Sequence, residues 1–251
     1  MNKIAIITGA TSGFGKAIAE KLASEGFSLI ITGRRAERLA SIAQSITSTY
    51  GVHVLPLVFD VRNQPEVNKA FSSIPSKWQH WEVLVNNAGL ALGRDSIDQG
   101  SLADWNQMID TNVKGLLYVT QEALPVLKKR HGSTIINIGS IAGRECYPGG
   151  NVYSASKFAV DALTTSMRID LNPFGIRVGQ IAPGAAESEF SLVRFKGDQA
   201  KADSVYTGFV PLSAEDIAEA AWFMISRPAH VTIGDMLILP TAQATATLIK
   251  K

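Results

Sequence analysis

The sequence predicts an α/β fold with one parallel, doubly wound sheet, and three observations carry that expectation. Strand-like and helix-like segments alternate along the 251 residues. The strand-like segments are mostly apolar rather than alternating, as strands covered on both faces should be. The first strand runs into a glycine-rich turn that opens a helix, Thr8-Gly9-Ala10-Thr11-Ser12-Gly13-Phe14-Gly15.

The elements follow in order. Residues 3–8 are a short β-branched run, and 14–25 place Phe14, Ile18 and Leu22 on one helical face. Ser28–Thr32 form a second strand, followed by a charged helix near 35–48. Further strands are expected at 53–58, 82–86, 133–139, 176–182 and 235–239. Helices at 65–73, 103–129, 152–171 and 214–226 are expected from apolar period and breaker residues. No repeat or linker interrupts the series, so residues 1–251 are read as a single domain with helices on both faces of the sheet. The stretch 184–210 is the least regular, and 185–210 is expected to form a mobile lid.

Composition narrows the function. Hydrophobic residues make up 46% and charged residues 18%, a balance that argues against disorder. The net charge is +2 with no basic cluster, so nucleic-acid binding has no support. The single cysteine, Cys146, permits no intrachain disulfide and fits a reducing cytoplasm. Met-Asn-Lys leads straight into the first strand, without the layout of a signal peptide. No apolar run approaches the ~20 residues that span a bilayer. No metal site is expected.

The glycine turn has a physical use. Between a strand and a helix, backbone N–H groups and the helix N-terminus can meet a pyrophosphate, and glycine permits the close approach. The spacing Gly-x-x-x-Gly-x-Gly, at the first strand of an alternating chain, indicates a Rossmann-type dinucleotide cradle; in isolation it would read as a tight turn. The second strand ends in Thr32-Gly33-Arg34-Arg35. An acidic residue there would favour NAD by accepting from a ribose hydroxyl. Arg34 instead suits a 2′-phosphate, which a guanidinium grips with charge-assisted bonds. Cations are disfavoured at a helix N-terminus, so a local anion accounts best for Arg34 and Arg35. NADP(H) is the expected cofactor.

Tyr153 and Lys157 lie one helical turn apart, so both project from one face. A tyrosine pKa near 10 is too high for efficient acid–base work, and a fixed ammonium would lower it. Strand 133–139 ends in Gly139-Ser140, where doubly wound sheets place ligands. Ser140 could donate to a reacting oxygen. A lone Tyr/Lys pair is usually surface, and a lone serine here is usually a cap; it is the combination that points to chemistry.

With these residues in view, the chain resembles a single-domain short-chain dehydrogenase/reductase over residues 3 to about 240. The resemblance rests on the glycine turn, Asp60-Val61, Asn86-Asn87-Ala88-Gly89, Asn112, Ser140, Tyr153/Lys157 and Pro183-Gly184. It implies that Gly9, Ser12, Gly13, Phe14 and Gly15 receive the cofactor phosphates. It further implies that Asp60 and Val61 lie by the adenine, and that Asn86, Ala88 and Gly89 pass along the cofactor. Pro183, Gly184 and Ser188 would meet the nicotinamide side, although the family more often has threonine where Ser188 stands. The implied catalytic set is Asn112, Ser140, Tyr153 and Lys157. Tyr153 transfers the proton, Ser140 stabilises the oxygen, Lys157 holds the ribose, and Asn112 holds a water that relays the proton.

The segment Glu189–Asp198 and the ending Asp235–Gln243 resemble those of bacterial NADP-dependent 3-hydroxy acid dehydrogenases, which oxidise serine, allo-threonine and similar acids. A carboxylate substrate needs a cation, and Arg144 and Arg194 are the candidates beside Ser140 and Tyr153. The resemblance also implies a homotetramer. Alternatives stay open: a 3-oxoacyl thioester reductase of fatty-acid synthesis, a non-catalytic NADP(H)-sensing protein, or a structural subunit.

Overall fold

A computed structural model describes residues 3–250. Seven parallel strands form one sheet in the order β3-β2-β1-β4-β5-β6-β7. They are β1 (Ile4–Ile7), β2 (Ser28–Gly33), β3 (Val54–Val58), β4 (Val83–Asn86), β5 (Thr134–Ile138), β6 (Arg177–Pro183) and β7 (Asp235–Ile238). The expected strands all form, within two residues of their expected bounds. Pro56, which donates nothing to a ladder, lies on β3 at the sheet edge, where that loss is tolerated.

Period-two alternation in β1 explains how the sheet acquires two cores. Ala5 and Ile7 face α1 (Gly13–Ser24), α2 (Ala36–Tyr50) and α9 (Ala214–Ile225), packing with Ile18, Leu39 and Ile217. Ile4 and Ile6 face α3 (Gln64–Ser72), α5 (Leu116–Leu127) and α6 (Asn151–Leu171), packing with Phe71, Val119 and Val160. All four β1 residues are buried, so the apolar, non-alternating strand does reflect cover on both faces.

The long helix expected over 103–129 is not one α-helix. It consists of α4 (Leu102–Ile109), a wider π-type turn over Asp110–Gly115, and then α5. Asn112 lies in that turn with its side chain bonded sideways to Leu90 and Ser156. Asparagine is a poor interior helix residue, and a local widening of this kind frequently marks a functional position.

The irregular stretch is folded. It holds two short helices, α7 (Glu189–Arg194) and α8 (Gln199–Ser204). The Tyr206 hydroxyl reaches the Ala186 carbonyl at 2.7 Å and lies 2.6 Å from the Ser191 hydroxyl. Reciprocal bonds between Gly93 and Arg194 dock α7 against the segment after β4.

Candidate active site

The sheet order reverses direction between β1 and β4, and a cavity of about 930 Å³ opens at the carboxyl ends of these strands. That is where open α/β sheets place ligands. Its floor at one end is the glycine turn. Gly9 (φ +66°) and Gly13 (φ +49°) adopt left-handed backbone that a side chain would strain. A Cβ on Gly9 would also lie 3.0 Å from the Ala88 Cα, so the turn lies flat against the end of β4. The Thr8 hydroxyl locks that contact by accepting from the N–H groups of Asn87 and Ala88 at 3.0 and 2.9 Å.

Ser12, Gly13 and Phe14 line the cavity with Gly9, whereas Gly15 does not. A Cβ there would stand 2.4 Å from both the Asn87 Nδ2 and the Gly9 carbonyl, so Gly15 serves the turn's packing rather than a ligand. Arg34, Arg35, Asp60 and Val61 line the same end. Arg34 is half exposed, 3.7 Å from the Asp60 carboxylate. Arg35 bonds the Ser12 and Thr11 hydroxyls at 2.9 Å each and the Glu189 carboxylate at 3.0 Å. Arg38 reaches the same carboxylate at 2.5 Å. The anions inferred beside these cations are therefore, within the chain, Asp60 and Glu189. Both carboxyl groups are held below their ordinary range despite partial burial: Arg62 and Arg34 act on Asp60, and Arg35 and Arg38 on Glu189. The exposed Arg34 is left with the most freedom to meet a phosphate. The glycine cradle and these cations fit a phosphorylated dinucleotide.

Ala88 and Gly89 line the cavity, but Asn86 does not, which corrects the expectation for that residue. Its side chain points into the core, donating to the Thr120 hydroxyl and to the Asn137 Oδ1 at 2.9 Å each. Asn137 then donates to Thr164. The neighbouring Asn87 faces the cavity and bonds the Thr8 and Gly9 carbonyls. One register position separates the two roles, because successive strand side chains point to opposite faces.

At the other end, Ser140, Tyr153 and Lys157 come together at the close of β5 and the start of α6. Ser140 caps a short 3-10 turn over Ile141–Gly143, accepting from the Ala142 N–H at 3.1 Å. Gly143 lets that turn press on α6; a Cβ there would stand 2.7 Å from the Lys157 carbonyl. Lys157 is buried, donates to the Ile138 carbonyl at 2.8 Å, and places its ammonium 5.9 Å from the Tyr153 ring centre. Burial pushes its pKa down to about 8. Tyr153 departs from the expectation of a lowered pKa. Burial drives it up and Tyr147 adds to the rise, against smaller lowering effects of the Ser140 hydrogen bond and the Arg194 charge. The protein alone thus holds Tyr153 as the protonated phenol.

Asn112 stands behind this group rather than in the cavity wall. It accepts from the Leu90 N–H and donates to the Leu90 carbonyl, both at 2.8 Å, and to the Ser156 hydroxyl at 3.0 Å. A Cβ on Gly89 would lie 3.2 Å from the Asn112 Oδ1 and 3.6 Å from the Lys157 Nζ, so the backbone after β4 passes close to both side chains.

Pro183, Gly184 and Ser188 line the cavity after β6. The Ser188 hydroxyl caps α7 by accepting from the Phe190 N–H at 3.3 Å. Of the two arginines expected to hold a carboxylate, Arg144 turns away. It pairs with Asp235 at the start of β7 and does not line the cavity, which corrects that expectation. Arg194 lies inside, with its guanidinium carbon 5.6 Å from the Tyr153 ring centre and 5.4 Å from that of Tyr147. Its Nη2 is buried without a hydrogen-bond partner.

Sequence reasoning missed Arg94, Tyr147, Phe190 and Gln243, which also line the cavity. Phe190 packs on Tyr153 at 5.5 Å. Gln243 ties the C-terminal tail to the Ala185 N–H at 2.7 Å. The unusual polar ending Pro240-Thr241-Ala242-Gln243 was the one available signal for this last residue.

Known proteins agree with this geometry. The family model of short chain dehydrogenase matches residues 3–198. Sulfoacetaldehyde reductase 2 of Chromohalobacter salexigens is 46% identical over 245 residues, 97% of this chain and 96% of its own. NADP-dependent 3-hydroxy acid dehydrogenase YdfG of Salmonella typhi is 45% identical over 246 residues, 98% of each chain. The closed form of serine dehydrogenase complexed with NADP+ superposes with a TM-score of 0.92 at 42% identity, covering 99% of both chains. The glycine cradle at the sheet's switch point, the buried Tyr153/Lys157 pair and this similarity along the whole described fold together place the chain in the short-chain dehydrogenase family.

Proposed function

We propose that this chain is an NADP(H)-dependent oxidoreductase that interconverts a small 3-hydroxy acid, or a similarly short hydroxylated acid, with its carbonyl form. The observation that carries the substrate class is Arg194. A guanidinium with a buried, unpartnered nitrogen faces the catalytic tyrosine, and leaving such a group unsatisfied costs free energy that an acidic substrate would recover. Among the described residues, the only carboxylates lining the cavity are Asp60 and Glu189, both already paired with arginines at the cofactor end. The relatives named above act on short acids, which supports the same reading.

The chemistry divides simply among the residues. Bound nicotinamide would supply the hydride in the reduction direction and accept it in the reverse. Tyr153, held as the neutral phenol, donates its proton to the carbonyl oxygen, and Ser140 donates a hydrogen bond to the same oxygen. Lys157 would hold the nicotinamide ribose and restore the proton to Tyr153, with Asn112 behind it. Arg34, with Arg35 and Ser12, would hold the 2′-phosphate. A thioester reductase is the weaker reading. Ala246, Thr247 and Ile249 of the tail line the cavity, where they would stand in the way of a long acyl chain. We further place the enzyme in the cytoplasm as a homotetramer, with 185–210 acting as a lid over one catalytic domain.

The test is Arg194→Met. It should raise KM for a short hydroxy acid at least tenfold, the loss expected for a hydrogen bond to a charged group. Turnover of a neutral alcohol of equal size should hardly change. Equal losses on both substrates would reduce Arg194 to a support of the lid.

A further inference from the structure

We infer that Glu189 sets how strongly this enzyme prefers NADP(H) over NAD(H), by competing with the cofactor's 2′-phosphate for Arg35 and Arg38. The inference rests on the reading of Arg34 and Arg35 as the 2′-phosphate site. It concerns a residue of α7, on the far side of the cavity, that the expected cofactor set did not contain.

Three observations converge on this carboxylate. First, it is already held as a bound anion would be. Arg35 donates to its Oε2 at 3.0 Å, and the Arg38 Nη2 lies 2.5 Å from its Oε1, so each oxygen has its own guanidinium. Burial alone would raise the Glu189 carboxyl, but Arg35, Arg38 and the Ser12 hydroxyl together hold it below its ordinary range. Second, the Arg35 guanidinium has little left to offer. Its Nη2 donates to the Ser12 and Thr11 hydroxyls at 2.9 Å each, and its Nε donates to the Thr11 hydroxyl at 3.2 Å. Its Nη1 is the nitrogen turned to Glu189, so an anion arriving beside Ser12 must share Arg35 with that carboxylate. Third, the backbone fixes the meeting. A Cβ on Gly33 would stand 2.7 Å from the Thr11 Cγ2, so the end of β2 presses on the glycine turn and brings Arg35 to it. A Cβ on Gly13 would stand 3.3 Å from the Ser188 Cβ, so the start of α7 lies against the same turn and carries Glu189 in.

Charge decides the sign of the effect. A phosphate monoester carries about two negative charges near neutral pH. With Glu189 in place, the cations that would receive those charges already face one carboxylate. Glu189 therefore repels the phosphate and occupies donors it needs, whereas a cofactor with a free 2′-hydroxyl meets little of either effect. Asp60 is different, because Arg62 already balances it with bonds of 3.1, 3.0 and 2.6 Å. The coupling is reciprocal: the phosphate must weaken the hold of Arg35 and Arg38 on Glu189 by the same factor. NADP(H) thus loosens the first turn of α7 more than NAD(H) does.

The experiment titrates NADPH and NADH by calorimetry into the unaltered protein and into Glu189→Gln, which keeps the size of the side chain and removes its charge. The ratio of the NADH Kd to the NADPH Kd should rise about three- to tenfold in the variant, through tighter NADPH, with NADH changed by less than about twofold. A general disturbance of the lid moves both constants alike and cancels in the ratio. An unchanged ratio would overturn the inference. A ratio that falls because NADPH weakens would also overturn it, and would assign Glu189 to orienting the arginines for the phosphate. Equal binding of NADPH and NADH by the unaltered protein would remove the phosphate reading of Arg34 and Arg35, and this inference with it. Amide exchange supplies the reciprocal measurement. In the unaltered protein, residues 189–194 should exchange faster when saturated with NADPH than with NADH, and the difference should vanish in Glu189→Gln. Equal or slower exchange with NADPH would sink the competition while leaving the phosphate site standing.

Discussion

Lys157 occupies surroundings that oppose its charge, and the consequence is measurable. Its pKa falls to about 8 from 10.5 because burial disfavours the ammonium. The folded protein therefore releases this proton more readily than the unfolded chain does. The resulting penalty is full below pH 8 and fades as pH rises towards 10.5, so this residue makes stability increase with pH across that window. Replacing it with methionine removes the penalty but leaves the Ile138 carbonyl without its donor. Lys157→Met should therefore gain about 1–2 kcal/mol of stability near neutral pH while losing most activity. Denaturant melts of both proteins at pH 7 and 10 check this, and the gain should shrink at the higher pH. In the enzyme with Lys157 present, NADPH-dependent reduction should decline above pH 8, where the ammonium that restores the Tyr153 proton is lost. Tyr153→Phe keeps the packing on Phe190 and should cost at least ~10²-fold in kcat, the lower end of general acid–base contributions. Near-normal turnover would remove Tyr153 from the mechanism, while direct titration of NADPH should show affinity retained.

Among the elements, α7 joins the two ends of the cavity. Glu189 in its first turn meets Arg35 and Arg38 beside the glycine cradle, Phe190 packs on Tyr153, and Arg194 in its last turn lies 5.6 Å from the Tyr153 ring centre. A helix of six residues has little stability of its own, so these contacts and the Gly93–Arg194 bonds must hold it. The Glu189 pairs are partly exposed, at 35% for Glu189 and 45–46% for its partners, so they contribute about 1 kcal/mol or less to global stability. Glu189→Gln should leave the melting temperature within a few degrees of the parent. It should also speed amide exchange over residues 189–206 specifically. Exchange unchanged in that segment would show that the latch is not what keeps α7 closed.

Across the molecule, the exposed faces of α5 and α6 remain to be explained. Phe158 is 41% exposed and Ile169 69% on α6, with Leu117 at 39% on α5 and Phe174 at 42% just beyond. Large apolar side chains gathered on adjacent helices are a common basis for symmetric association. Light scattering at micromolar concentration should give a mass near four times 26.9 kDa. A monomer would remove the assembly proposal, and a stable dimer would reduce it to one of the two helix faces.

Much of this protein follows from sequence alone, for reasons that are local. Strand and helix positions rest on apolar period and on breakers, which act over a few residues, and the glycine turn rests on backbone conformations that only glycine adopts readily. Tyr153 and Lys157 are neighbours because a helix puts residues four apart on one face, wherever that helix is packed. What the tertiary structure decided is which way each side chain points and what surrounds it. Asn86 and Asn87 differ by one strand position, and one went to the core and the other to the cavity. Arg144 and Arg194 were indistinguishable as cations, until Asp235 claimed the first outside the cavity and the second was left lining it beside Tyr153. Tyr153 was expected to ionise more easily beside Lys157, but its burial raises the pKa past the smaller lowering effects of Ser140 and Arg194. Orientation and desolvation depend on residues distant in the chain, and no local pattern carries them.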